Sequence, residues 1–189
     1  IPEEDLAMAV VVQTMVNSRC SGVMFTRSPT SGDKSVVTIE GSWGLGSSIV
    51  SGEVTPDKFV VNKITSEITG KNIAPKAIEH LPDEKGGIIE RPVEEERQVI
   101  SCLSNEEIRE LTEIARRVEK HYGCAQDIEW AISHDSAGNE NNSVLLLQSR
   151  PETVWATKDK APVAKPAAKA YDHIFNVMGS QLIKDNKSK

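Results

Sequence analysis

Apolar residues in this chain recur with two spacings, one close to two and one close to four, and the change between them separates sheet-forming stretches from one long helix. The β-branched run AMAVVVQTMV (7–16) predicts a strand buried on both faces. Further strands are predicted in SGVMFT (21–26), SVVTIEGSW (35–43) and KFVVNK (58–63), with the turn formers of RSPTSGD after the first of these. ITSEITGK (64–71) reads as a hairpin turn, and GGIIERPV (86–93) as a short edge strand ending at Pro92. The helical spacing is clearest in SNEEIRELTEIARRVEKHYG (104–123). Ser104 and Glu107 form a capping box, Ile108, Leu111, Ala115, Val118 and Tyr122 fall on one stripe, and Gly123 supplies a left-handed stop. This helix is read as structural.

The last strong pattern is a hairpin, 127–132 with 144–150. Alternate side chains of a strand share a face. Asp127, Glu129 and Ala131 therefore fall on one face of the first strand, and Leu146, Gln148 and Arg150 on one face of the second. A turn centred on Gly138–Asn139 places Glu129 opposite Gln148 and Asp127 opposite Arg150. Pattern alone leaves two readings of this polar face. Hard oxygen donors on Glu129 and Gln148 suit Mg²⁺, and the Arg150 fork suits phosphate, with Asp127 to orient it. The alternative is a cross-strand salt bridge and an amide facing solvent.

Composition narrows the class. Twenty-eight acidic against 22 basic residues leave a formal charge of -6, which argues against nucleic acid as the main partner. Three widely spaced cysteines, with no CxxC pair, imply reduced thiols and a cytoplasmic setting. No apolar run approaches the ~20 residues a membrane span needs. After Trp155 an Ala/Lys/Pro linker begins, followed by a short stretch in which Ile174, Phe175, Val177 and Met178 suit an amphipathic docking helix or a disordered tail. The expected division is thus 1–157 and 158–189.

Several motifs in order resemble one known family. VVVQTMV, SGVMFTRSPTSG, GSWGLGSSIVSGEVTPDKFVV, DIEWAI and LLLQSRPET look like the end of the ATP-grasp nucleotide-binding domain of the phosphoenolpyruvate synthase and pyruvate phosphate dikinase family, over most of residues 5–155. Rifampin phosphotransferase and phenylphosphate synthase share this domain. The resemblance implies an α+β fold, the C-terminal part of an ATP-grasp domain, mainly antiparallel sheet with flanking helices. It implies ATP and Mg²⁺ as cofactors, with Glu129 and Gln148 as metal ligands. Arg150, with Asp127 beside it, corresponds to the arginine on the ATP phosphates. Gln13, Met15 and Val16 correspond to the adenine-binding hinge. Gly44 and Gly46 are structural first and nucleotide-facing second, since GxG alone is a weak phosphate signal. Ser47 stands where many family members carry glutamate.

The resemblance also implies parts that these residues do not supply. An N-terminal lobe with further phosphate contacts is expected before Ile1. The phosphohistidine of a swivelling domain or subunit is another expected partner, and a small-molecule phosphoryl acceptor the third. His80, His121, His134 and His173 lack the TxGGxxSHxA context of that histidine and read as surface or packing residues. A chain that stops soon after QSRPET fits a separate ATP-binding subunit, as in phenylphosphate synthase. The expected activity is a dikinase-type transfer that releases AMP and phosphate, this part being inactive alone. The alternative is a nucleotide-binding or assembly module without turnover.

Overall fold

The computed structural model describes residues 9–134 and 144–155. β1 (Ser18–Phe25), β2 (Val36–Trp43), β3 (Asp57–Asn62), β4 (Ile68–Asn72), β7 (Gln126–Ser133) and β8 (Val144–Pro151) form one sheet in the order β4-β3-β2-β1-β7-β8. Every neighbouring pair is antiparallel. β5 (Ile78–Pro82) and β6 (Ile88–Pro92) make a separate two-stranded ladder. The helices are α1 (Ser47–Val50), α2 (Glu95–Gln98) and α3 (Asn105–Tyr122). The α+β class and antiparallel sheet expected above are what is found. No helix among the described residues is long and apolar enough to cross a membrane.

α3 starts and stops as its sequence predicts. Ser104 accepts from the Glu107 amide, Glu107 accepts in return from the Ser104 amide, and Gly123 closes the helix at φ 68°. Ile108, Leu111 and Ala115 are fully buried, while Tyr122 at the end of the stripe is exposed. Burying each of the larger side chains contributes about 1.5–3 kcal/mol. They join a core with Met24, Ile39, Phe59, Ile128, Trp130 and Ile132. Trp130 lies over two glycines on neighbouring strands: a Cβ on Gly22 would stand 2.8 Å from the indole, and one on Gly41 would stand 3.0 Å from it. The glycines thus make a shallow slot that lets the bulkiest core residue sit flat against the sheet.

The cross-strand pairing sets what the other face carries. Ser21, Val23 and Phe25 of β1 lie opposite Ala131, Glu129 and Asp127 of β7. The core side chains Ile128, Trp130 and Ile132 alternate with these β7 residues, so burial of one set turns the other away from the core.

Two expectations change, further elements appear that the pattern did not signal, and three expectations lie outside the described residues. Residues 9–17 form no strand, and Val10, Val11 and Val12 are exposed. β1 is already paired on both sides, with β2 and β7, so the sheet has no slot beside it, and β-propensity without a ladder partner does not make a strand. Secondly, β7 and β8 keep the predicted pairing only up to Glu129–Gln148. The register then slips so that Trp130 pairs with Leu146, leaving Leu147 as the extra residue of a bulge. Leu146 therefore leaves the face of Gln148 and Arg150. Thirdly, β5, α1 and α2 were not signalled, each being too short for a periodic pattern. Finally, the turn at Gly138–Asn139, the boundary at 157 and the stretch 158–189 lie outside the described residues.

Candidate functional site

The base of the β7–β8 hairpin is held by a buried amide. Gln126 is buried; its backbone N–H donates to Thr26 Oγ1 at 2.8 Å, and its side-chain oxygen accepts from Ser149 Oγ at 2.9 Å. One residue further, Asp127 stands opposite Arg150, with Arg150 Nε 3.7 Å from Asp127 Oδ2. Two residues on, Glu129 stands opposite Gln148.

Asp127 is half-buried, and its Oδ1 has no hydrogen-bond partner among the described residues. Desolvation raises its pKa above the ordinary aspartate value; the Arg150 charge lowers it, and Glu152 raises it again. Arg150 is largely exposed, so its head is available to a ligand as well as to Asp127. A buried orphan oxygen on Asp127, with the Glu129 carboxylate and the Gln148 amide on the same hairpin face, is a donor set that fits a hard divalent cation such as Mg²⁺ better than a soft one.

Glu129 also belongs to a cleft of about 420 Å³. Gln13, Thr14, Met15 and Val16 line it from the segment before β1, Leu45, Gly46, Ser47 and Val50 from the segment around α1, and Ser18, Ser21, Ile88 and Leu147 complete the lining. The size is that of a small-molecule pocket. The structure therefore brings Gln13, Met15, Val16, Gly46 and Glu129 together. Asp127, Gln148 and Arg150 do not line the cleft; they continue from Glu129 along the hairpin. Gln148 borders a second groove, about 950 Å³, between α3 and β8, whose lining contains no carboxylate.

Gly44 is not in the cleft lining. Its φ is +70°, and a Cβ there would come within 2.2 Å of the His80 carbonyl oxygen. It lets the chain after β2 touch β5, where the Leu45 amide donates to the same carbonyl at 2.8 Å. Sequence reasoning missed Ser47 as a wall residue and His80 as its support. Ser47 Oγ is 2.8 Å from His80 Nδ1, and His80 Nε2 is 3.1 Å from Glu53 Oε2. Only the tertiary contact of β5 with the Gly44 segment shows this. Ser21 had a weak signal, since alternation along its strand places it near Glu129, whereas Leu147 reaches the cleft only through the bulge.

Comparison with known proteins gives a consistent match. The family described as "Pyruvate phosphate dikinase, AMP/ATP-binding domain" matches residues 1–170. The chain is similar to a probable phosphoenolpyruvate synthase of Staphylothermus marinus, 38% identical over 100% of this chain and 24% of the relative. It is 43% identical to the phosphoenolpyruvate synthase of Aeropyrum pernix, over 88% of this chain and 23% of that protein. A probable phosphoenolpyruvate synthase of Methanocaldococcus jannaschii is 43% identical over 85% of this chain and 13% of its own length. The chain thus spans a quarter or less of the length of these relatives.

Proposed function

This chain belongs to the family of the pyruvate phosphate dikinase AMP/ATP-binding domain, and on that premise we propose that it forms one side of an ATP site in a dikinase-type phosphotransferase. The observation that carries the reading is the meeting of the cleft with the hairpin at Glu129. The cleft is sized for a nucleoside, and the hairpin next to it offers a carboxylate, an amide and a guanidinium suited to metal and phosphate.

In this reading the backbone of Met15 and Val16 hydrogen-bonds the adenine, with Gln13 beside them. Gly46 allows close approach where the ribose leaves the cleft. The phosphates then run from Glu129 toward Arg150, about 7 Å further along the strands at ~3.4 Å per residue. Glu129 and Gln148 hold Mg²⁺, which when bound neutralises polyphosphate charge. Arg150 donates to phosphate oxygens, and Asp127 keeps its guanidinium in place. These residues act by positioning and charge compensation rather than by covalent chemistry.

In the whole protein a histidine on a swivelling domain or subunit attacks the β-phosphorus of ATP and AMP leaves; water then takes the γ-phosphoryl as phosphate, and the β-phosphoryl left on the histidine passes to a small-molecule acceptor. An N-terminal lobe completes the ATP site. The phosphoenolpyruvate synthase relatives favour pyruvate over phenol as the acceptor. The test is incubation of the complete protein with [β-³²P]ATP. Label on a histidine together with AMP is the expected result. Nucleotide binding without AMP formation would leave a binding module in place of an enzyme.

A further inference from the structure

Glu53, His80 and Glu90 meet beside Ser47, a residue of the cleft lining. Glu90 is the cross-strand partner of His80 in the β5–β6 ladder, and Glu53 arrives from the loop after α1. One ligating atom from each lies within 4.8 Å of the others. From these residues we propose a binding site for one divalent ion of the Zn²⁺ class, separate from the oxygen-lined hairpin. The proposal does not rest on the nucleotide reading.

Three observations support it. The first is spacing. Ligands about 2.05 Å from a tetrahedral metal are about 3.3 Å apart. His80 Nε2 and Glu53 Oε2 are 3.1 Å apart, so two ligands already stand at that separation. Glu90 is exposed and needs only a side-chain rotation to complete the set. The second is the support of the imidazole. Ligating histidines have their other nitrogen held by a hydrogen bond. His80 Nδ1 is held by Ser47 Oγ at 2.8 Å, and the His80 backbone is fixed by the Leu45 amide. A hydroxyl donates or accepts. When the metal takes the Nε2 lone pair, the ring proton moves to Nδ1 and donates to Ser47, with no net proton change on the imidazole.

The third observation is charge. Carboxylates buried or partly buried elsewhere in the fold have cationic partners: Asp57 has Lys76, Glu79 has Arg91, Glu107 has Arg19 and Glu119 has Lys63. Among the described residues Glu53 and Glu90 face one imidazole and no lysine or arginine ion pair. A nitrogen ligand with two carboxylates suits a borderline ion such as Zn²⁺ better than Mg²⁺. A metal there would tie the β5–β6 ladder to the segment carrying Gly46 and Ser47.

The rival is a plain Glu53–His80 hydrogen bond with no metal. Co²⁺ is the probe, titrated into the complete protein and followed by visible absorption. The proposal expects one equivalent with visible d–d bands, no thiolate charge-transfer band, and displacement by Zn²⁺. Glu53→Gln and Glu90→Gln, both at exposed side chains, should each weaken binding at least tenfold with unchanged circular dichroism, and Glu129→Gln should not. Any of these results overturns it: no binding at millimolar Co²⁺, binding unchanged in both glutamine variants, a thiolate band, or loss confined to Glu129→Gln.

Discussion

Glu129 stands directly opposite Gln148 in the β7–β8 ladder, and the register slips by one residue immediately beyond them. The bulge lets two different patterns share one strand. After it, β8 turns Gln148 and Arg150 to the polar face; before it, Val144 packs against the core. Deleting Leu147 removes a residue of the cleft lining together with the local kink and twist that the bulge gives the strand. Nucleotide affinity of the deletion variant is expected to fall at least tenfold, with a lower urea midpoint.

Gly22 is tied to Trp130 by space rather than by backbone angle. A Cβ on Gly22 would lie 1.9 Å from the Glu40 carbonyl oxygen and 2.8 Å from the indole. Neither the sheet backbone nor a fully buried ring moves aside at low cost. Gly22→Ala is expected to destabilise the fold by about 1–3 kcal/mol, the range for overpacked cores. Equilibrium urea unfolding measures it.

Asp57 and Lys76 form a fully buried ion pair at 2.6 Å. Asp57 also accepts from the Ala74 amide at 3.0 Å and the Cys102 amide at 2.8 Å, and Lys76 donates to the Ala74 carbonyl at 2.8 Å. Removing one partner strands the other charge. Lys76→Met alone should cost about 3–5 kcal/mol, and the double variant Asp57→Asn/Lys76→Met less than the sum of the singles. Additive losses in a denaturation cycle would contradict this pairing.

In the proposed site, Asp127 is a carboxylate whose burial works against the fold at neutral pH. Its folded pKa is raised, chiefly by desolvation, so the folded state holds the proton more tightly than the unfolded chain. Its contribution is therefore fully present below the ordinary value of 3.8 and is lost as pH rises through the raised folded pKa. At neutral pH the charged, partly orphaned carboxylate is a local burden. Asp127→Asn should raise the melting temperature at pH 7 relative to wild type, narrow that gain toward pH 3, and weaken nucleotide binding. A lower melting temperature at pH 7 would refute the burden.

The helix and the hairpin were legible for physical reasons. α3 is long enough for its caps and stripe to repeat, and the placement of Asp127, Glu129, Gln148 and Arg150 follows from strand parity alone. The N-terminal valines misled, because Val10 to Val12 carry β-propensity without a ladder partner. The bulge at Leu147 was hidden because it changes register without a marker residue. His80 was illegible because its place depends on β5, five residues without alternation, and on the close approach that Gly44 permits.

In the proposed site Glu129, through Mg²⁺, and Arg150, directly, both act on the phosphates of one bound nucleotide and neither on its nucleoside. Calorimetric titration of the complete protein with ATP, with and without Mg²⁺, and with adenosine separates them. Glu129→Gln should lose the Mg²⁺-dependent gain in ATP affinity but bind adenosine as wild type does. Arg150→Ala should lose at least tenfold, about 1.4 kcal/mol, for ATP and nothing for adenosine. Wild-type MgATP affinity in both variants would contradict the account.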